Sequence, residues 1–218
     1  MPTYHAPVED GLFLLRDVLK VQEQSHLPGY EDLTPEFCAE VLGAAARIHE
    51  ELLHPLNQAG DEEGAHLEDG KVRTPTGFKA AWDAYRAAGW CRLSVAPSIG
   101  GMGLPPVISA LVGEMRTATA HSFAMYGAFC GTAARVISVL GEEWMKTHMV
   151  PRLVAGDWTA TMCMTEPQAG SDLRQIRTRA EKQEDGSWRI TGSKIFISGG
   201  DHDLTDNIVH VVLAKVPD

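Results

Sequence analysis

The 218-residue sequence predicts an α+β fold in which a helical region precedes a smaller β region. Through the first two-thirds of the chain, apolar residues recur at three- and four-residue steps, as they do on one face of a helix. After Asp157 the chain changes to short runs rich in Thr, Met, Val and Ile, which indicate strands. Apolar residues make up 44% of the chain, so a packed core is expected and disorder is not.

Two Thr-Pro pairs predict helix starts, because Thr is a good N-cap and Pro fits the first helical position. They are Thr34-Pro35 and Thr74-Pro75, and an apolar helical stripe follows each pair. The stripes consist of Phe37, Val41, Ala44, Ile48 and Leu52, and of Phe78, Trp82 and Tyr85. The segment between them, "NQAGDEEGAHLEDGK", is polar and rich in glycine, and we expect an irregular surface link.

The segment "APSIGGMGLPP" predicts a loop. Three more helices are expected from Pro106 to about Gly156, with breaks near Ala120-His121 and at Gly141. The glycine cluster in the loop lacks the spacing of a dinucleotide-binding fingerprint, so it is interpreted as a plain connection.

The β region begins with the strand "WTATMCMT". "IRTRAEKQ" and "SWRITGSKIFIS" flank the turn residues "EDGS" and predict a hairpin. The alternation slips at Gly192-Ser193, which indicates a turn or bulge within the second strand. "NIVHVVLAKV" predicts a further strand, expected at an exposed edge because sheets normally have four to six strands.

Charge and composition exclude several classes of function. The formal net charge is -10, which disfavours binding to nucleic acid or to anionic membranes. Neither a signal peptide nor an apolar run of membrane-spanning length is recognised. The cysteines are scattered without paired spacing, which favours free buried thiols in a reducing compartment and a cytoplasmic location. They are Cys38, Cys91, Cys130 and Cys163.

"HEELLH" invites comparison with zinc sites, in which two histidines lie four residues apart on one helix face. Here His49 and His54 lie five apart, about 140° around a helix, so two surface histidines are expected. The acidic run from Asp61 to Asp69 is interpreted as a solvated surface, and no metal site is predicted.

The segment "TEPQAGSD" has two interpretations. It is either a long turn after an edge strand or one side of a ligand site. About twenty residues further on, "GSKIFISGG" again predicts a strand that ends in hydroxyl and glycine residues. Two such ends side by side could hold a flat ligand, with backbone N–H groups and hydroxyls at its polar edge and Phe196 and methionines at its apolar faces.

The segments "MCMTEPQAGSDL" and "ITGSKIFISGG" resemble the two hallmark motifs of the acyl-CoA dehydrogenase family. "GGMGLP", "GEEWMKTHMVPRLVAGDWTATM" and "RAEKQEDGSWRITG" resemble its connecting segments, so the likeness extends from about residue 30 to the end. The chain is most similar to the branch that contains 3-methylmercaptopropionyl-CoA dehydrogenase.

The resemblance implies FAD as the cofactor and assigns site residues. Those expected to line or cover the flavin ring are Met162, Met164, Thr165, Phe196, Ile197 and Ser198. Ser171 is expected to lie toward the flavin phosphates and the acyl-CoA substrate, while Glu166 and Asp172 fix the loop through backbone N–H groups. The family often has Trp where Phe196 stands and Thr where Ser198 stands, and both replacements keep the chemistry. Ser98-Ile99 stands where an acidic residue is common.

The resemblance also implies a domain organisation. Residues 1–156 would form the N-terminal helical domain, with an extension over about 1–33, and residues 157–218 an incomplete antiparallel middle β-domain. The C-terminal helical domain, which carries the family's catalytic Glu and most subunit contacts, is expected to be absent, so no catalytic residue is assigned in this chain.

The implied function is the front part of an FAD-dependent acyl-CoA dehydrogenase of fatty acid metabolism. The family oxidises an acyl-CoA thioester at its α,β carbons and passes electrons to an electron-transfer flavoprotein. It forms homo-oligomers, and a separate C-terminal chain could complete this one. The chain alone is expected to be inactive. The alternative is a non-catalytic module that binds flavin, acyl-CoA or a partner protein.

Overall fold

The structure, a computed structural model, describes residues 3–217; residues 1, 2 and 218, at the outer ends of the two predicted domains, lie outside the description. The helices are α1 (Val8–Phe13), α2 (Pro35–Ile48), α3 (His54–Glu63), α4 (Phe78–Ala87), α5 (Pro106–Gly127), α6 (Cys130–Leu140) and α7 (Glu143–Ala155). The strands are β1 (His66–Glu68), β2 (Lys71–Arg73), β3 (Thr159–Cys163), β4 (Arg179–Lys182), β5 (Trp188–Thr191) and β6 (Ile208–Val212). The predicted α+β class is confirmed.

One of the two predicted helix caps is confirmed. The Phe37 N–H donates to the Thr34 hydroxyl at 3.2 Å, and α2 begins at Pro35. The prediction at Thr74 is wrong, since α4 begins only at Phe78, after Gly77. The Thr74 N–H and hydroxyl donate instead to the Asp203 carboxylate, at 3.1 and 2.7 Å. The Thr74 side chain therefore does not cap α4, because it is hydrogen-bonded to a residue 129 positions further along the chain.

The prediction of an irregular link between α2 and α4 is wrong, because the segment contains a helix and a hairpin. α2 passes through a π-helical turn, His49–Leu53, into α3, which continues to Glu63. Strands β1 and β2 then form a hairpin. Asp69 and Gly70 at its tip both have positive φ, 49° and 77°, as a two-residue hairpin turn requires. The Asp-Gly pair was therefore a hairpin signal.

Three helices follow Pro106, as predicted, but the first predicted break is a kink. Ala120, at φ -155° and ψ 77°, bends α5 without ending it, and the chain breaks after Gly127. By length and composition, Pro106–Leu140 could cross a membrane, with a mean hydropathy of 1.4. A core helix passes the same test, and α5 and α6 contribute residues to all three hydrophobic clusters.

The β region contains two small sheets. β4 and β5 form the predicted antiparallel hairpin. β3 and β6 pair in parallel, with Thr159 opposite Ile208, which differs from the antiparallel arrangement expected throughout. The 164–207 connection is long enough to bring the chain back in the same direction. β5 ends at Thr191, so the predicted strand over residues 195–198 is wrong.

Contacts between the helical and β regions hold the segments of the candidate site against the helices. Leu204, from the segment before β6, is buried in a cluster with Phe78, Trp82 and Phe123 of α4 and α5. The Trp82 indole N–H donates to the Gly156 carbonyl at 3.0 Å. All four cysteines are free, and three of them are buried; Cys91 is half-buried.

Candidate functional site

Strand β3 and the residues just after it carry the first predicted site residues, Met162, Met164 and Thr165. Thr159, Ala160 and Thr161 are buried, which fixes the strand against the helices. Met162 is half-buried on the strand. Beyond its end, Met164 is exposed and Thr165 is half-buried. These side chains therefore border the start of the 164–172 loop.

Glu166 anchors that loop. Its carboxylate is only 3% exposed and accepts hydrogen bonds from the Arg177 and Thr178 N–H groups, at 2.7 and 2.9 Å. The Thr178 hydroxyl and the Lys194 ammonium also donate to it. Glu166 and Ala169 exchange two backbone hydrogen bonds that close the turn between them. The structural role predicted for Glu166 is confirmed.

These partners decide the charge of Glu166. Burial opposes ionisation, but the hydrogen bonds from Thr178, Arg177 and Lys194 outweigh it and hold the pKa of the Glu166 carboxyl well below its usual range. Glu166 is therefore ionised at neutral pH and fully engaged with donors. A carboxylate in this state is a poor general base.

Asp172 plays the predicted local role. It accepts hydrogen bonds from the Arg174 N–H at 3.2 Å and from the Gln175 amide at 3.1 Å. Hydrogen bonds from Gln175 and Arg174 lower the pKa of the Asp172 carboxyl. Ser171 precedes it on the exposed part of the loop.

The second predicted segment, residues 192–200, lies beside the first although it forms no strand. The Ile195 N–H donates to the Thr165 carbonyl at 3.1 Å. The Lys194 ammonium donates to the Met164 carbonyl and to Glu166, at 2.9 Å each. Gly192, just before these residues, packs closely on Thr178, because a Cβ there would lie 2.3 Å from the Thr178 hydroxyl.

Phe196 has the most unusual backbone of the predicted residues. Its φ is 58°, in the left-handed region that a bulky side chain rarely occupies, and it is 89% exposed. Ile197 is half-buried and Ser198 is exposed. Gly199 then passes close to Tyr126 of α5, so the segment also borders the helical region.

Three residues important to the site were not assigned from the sequence. Lys194 and Thr178 hold Glu166 in place; Lys194 lies within a recognised motif, whereas nothing local distinguishes Thr178. His202 is buried, receives the Leu204 N–H at Nδ1 and contacts the Thr159 hydroxyl through Nε2 at 2.8 Å. Burial lowers the pKa of His202, although Asp201 and Asp203 oppose this. His202 is therefore a neutral support for β3.

The prediction of two surface histidines in "HEELLH" is wrong. His49 is fully buried, and its Nδ1 lies 2.6 Å from the Ala45 carbonyl. The π-helical turn that starts at His49 changes the angular spacing on which the sequence argument relied. Within residues 3–217, no group of three or more His, Cys, Asp or Glu side chains could hold a metal ion.

The geometry suits a flat aromatic ligand with a polar edge. The first segment carries Met162, Met164 and Thr165, the second carries Phe196 and Ser198, and a backbone hydrogen bond joins the two segments. Aromatic and aliphatic contacts would hold the faces of such a ligand, and the hydroxyls and N–H groups its heteroatoms. The donor set therefore fits a flavin.

Comparisons with known proteins identify the family of the chain. The family models "Acyl-CoA dehydrogenase, N-terminal domain" and "Acyl-CoA dehydrogenase, middle domain" match residues 39–157 and 161–217. The chain is 39% identical over 216 residues to 3-methylmercaptopropionyl-CoA dehydrogenase of Ruegeria pomeroyi. It is 33% identical over 218 residues to the broad-specificity linear acyl-CoA dehydrogenase FadE5 of Mycobacterium tuberculosis.

These alignments cover 99% of this chain but only 37% and 35% of the two relatives. The fold is also similar to an acyl-CoA dehydrogenase complexed with FAD from Bacillus anthracis, with a TM-score of 0.62 at 24% identity. That match covers 85% of this chain and 29% of the other. The chain belongs to the acyl-CoA dehydrogenase family.

Proposed function

We propose that this chain forms the front part of an FAD-dependent dehydrogenase that oxidises an acyl-CoA thioester at its α,β carbons. The observation that carries the proposal is the Ile195–Thr165 backbone hydrogen bond, which places the two family motifs side by side. The 39% identity to an acyl-CoA dehydrogenase supports the reaction class. Residues 1–156 are assigned to the N-terminal helical domain and 157–218 to part of the middle domain.

The chain's own residues would bind and orient the cofactor. Met162 and Met164 would contact the flavin ring, and Phe196 would cover it, which gives its strained, exposed conformation a function. Thr165, Ile197 and Ser198 would supply hydroxyl and backbone groups at the polar edge. Ser171 would lie toward the flavin phosphates and the acyl-CoA. Bound FAD supplies the hydride acceptor.

The base that removes the substrate's α-proton is assigned outside this chain. Glu166 is a buried carboxylate of the motif loop, but its five donors leave it no free role as a base. We therefore propose that a further region, fused or in trans, supplies the base. Electron-transfer flavoprotein as acceptor, homo-oligomer formation and a cytoplasmic location are further proposals drawn from the family.

The flavin assignment is tested by FAD titration. Thr165→Val and Ser198→Ala each remove one hydroxyl and should weaken FAD binding by about 1–2 kcal/mol, the scale of one hydrogen bond. The titration uses flavin fluorescence in a context that retains FAD, either the chain itself or the chain supplied with a family C-terminal region. Thr191→Val, on an exposed residue of β5, is the control. A double variant that holds FAD as tightly as the parent would refute the placement.

A further inference from the structure

A cavity of about 760 Å³ lies among α4, α5, α6 and the segment over residues 90–99. Its size is within the range of small-molecule sites. Aromatic and aliphatic side chains form much of its wall, including Trp82, Tyr85, Trp90 and Val112. None of the residues assigned to the flavin lines it. The cavity is therefore separate from the proposed flavin site.

The charged groups of the cavity are all positive. Arg116 of α5 and Arg135 of α6 line it, and no Asp or Glu does so. This contrasts with the whole chain, whose formal net charge is -10. In residues 3–217, none of the ion pairs within 4.0 Å involves Arg116. Arg116 is half-buried, so its charge lacks both full hydration and a protein counter-ion.

One donor of Arg116 is also unsatisfied. Its Nε is buried and has no hydrogen-bond partner, whereas the guanidinium does engage the Tyr85 hydroxyl. Buried donors are nearly always paired in folded proteins, so an orphaned guanidinium N–H in a cavity wall points to a ligand acceptor.

The titratable neighbours of Arg116 do not supply the negative charge. Burial raises the pKa of the Cys91 thiol to about 12 and that of Cys130 to about 11, so both thiols are neutral at pH 7. Burial also lowers the pKa of His49, which keeps its ring uncharged. The Arg116 cation is therefore uncompensated by the groups around it.

We propose that this cavity binds a small organic carboxylate, which pairs with Arg116 and lays an apolar body against Trp82 and Trp90. The planar guanidinium fork matches a carboxylate in a two-point hydrogen bond. The aromatic wall favours an anion with an apolar body over inorganic phosphate. The proposal does not depend on flavin binding or on the proposed reaction.

The test is to titrate the full chain separately with hexanoate, hexanamide and inorganic phosphate, and to monitor binding by tryptophan fluorescence. Hexanoate should bind saturably and hexanamide at least about ten-fold more weakly, since a charged hydrogen bond is lost. Arg116→Gln should weaken hexanoate binding by a similar factor. Arg189→Gln, on exposed β5, should leave it unchanged. Trp90→Phe should reduce the fluorescence change and so assign it to the cavity.

A second measurement covers the case in which Arg116→Gln does not fold. In the unsubstituted chain, hexanoate should shift one arginine Nε–H resonance saturably, and that resonance should be missing from an Arg116→Lys variant. Equal binding of hexanoate and hexanamide would overturn the proposal. So would unchanged hexanoate affinity in Arg116→Gln, or phosphate that displaces hexanoate at equal concentration.

Discussion

Glu166 is the residue on which the geometry of the motif loop depends. It connects the 164–172 loop to Arg177 and Thr178 and to Lys194 of the second segment. Glu166→Gln keeps the shape but loses the charge, so we expect the melting temperature to fall by several degrees at pH 7. Thermal unfolding followed by circular dichroism measures this. Glu181→Gln, on exposed β4, is the matched control and should change little.

The effect of Glu166→Gln should depend on pH in one direction. The folded-state pKa of Glu166 lies below its ordinary value of 4.5. Its ionised form therefore stabilises the fold above that value, and the stabilisation is lost as pH falls from about 4.5 toward the folded-state pKa. The difference in melting temperature between parent and variant should be full at pH 6–7 and shrink below about pH 4.5. A difference that grows with acidification would contradict the assigned ion pair.

At the scale of elements, the end of α7 depends on close packing at Gly156. This residue has φ 77° and ψ 13°, and an added Cβ would lie 2.9 Å from the Cys91 sulfur and 3.1 Å from the Arg86 Cβ. Gly156→Ala should therefore lower the free energy of unfolding by about 2 kcal/mol or more, from left-handed strain plus crowding. Denaturant unfolding measures the loss.

Gly100→Ala separates these two causes. Gly100 has a similar backbone, φ 91° and ψ 13°, but an added Cβ there would meet only Val154, at 3.9 Å. Its substitution should cost only the left-handed strain, about 1–2 kcal/mol. Equal losses for the two variants would show that the crowding at Gly156 is relieved.

At the scale of the whole molecule, Asp203 connects the β region to the helical region. It accepts two hydrogen bonds from Thr74, and its second oxygen lies 3.7 Å from the Arg73 guanidinium. Asp203→Ala should lower the free energy of unfolding by about 1–2 kcal/mol, because the Thr74 donors lose their acceptor. Urea unfolding would report this, with Asp206→Ala on the exposed neighbouring turn as the control. A loss no larger than that of the control would show that this connection contributes nothing.

Activity is also a property of the whole molecule. We expect the purified 218-residue chain to show no reduction of an artificial electron acceptor with saturated acyl-CoA thioesters. Without a positioned base, a factor of roughly 10²–10⁴ in rate is lost. Activity should return when a family C-terminal helical region is supplied, fused or in trans. Turnover by the chain alone would place the base within it and overturn the division of roles proposed above.

Local patterns in the sequence determined much of this protein. Helix α2 and its Thr34 cap, the stripe of α4, the β4–β5 hairpin and the two site motifs were all recognisable from neighbouring residues, although the buried face of α2 is Cys38, Leu42 and Ala45 and not the predicted stripe. Each depends on periodicity or on turn chemistry within a few residues, and a sequence displays both directly. The structural role of Glu166 followed from the family resemblance and not from a local pattern, because its partners Thr178 and Lys194 lie 12 and 28 residues away.

Only the tertiary structure decided the contacts between distant segments. In the folded chain β3 pairs with β6 in parallel, and Thr74 binds Asp203 instead of capping a helix. His49 is buried, and Arg116 lines a cavity that has no carboxylate in its wall. The partners of Thr74 and β3 lie 129 and about fifty residues away. No local propensity encodes such pairs, because their free energy comes from burial and from hydrogen bonds that exist only once the chain has closed those loops.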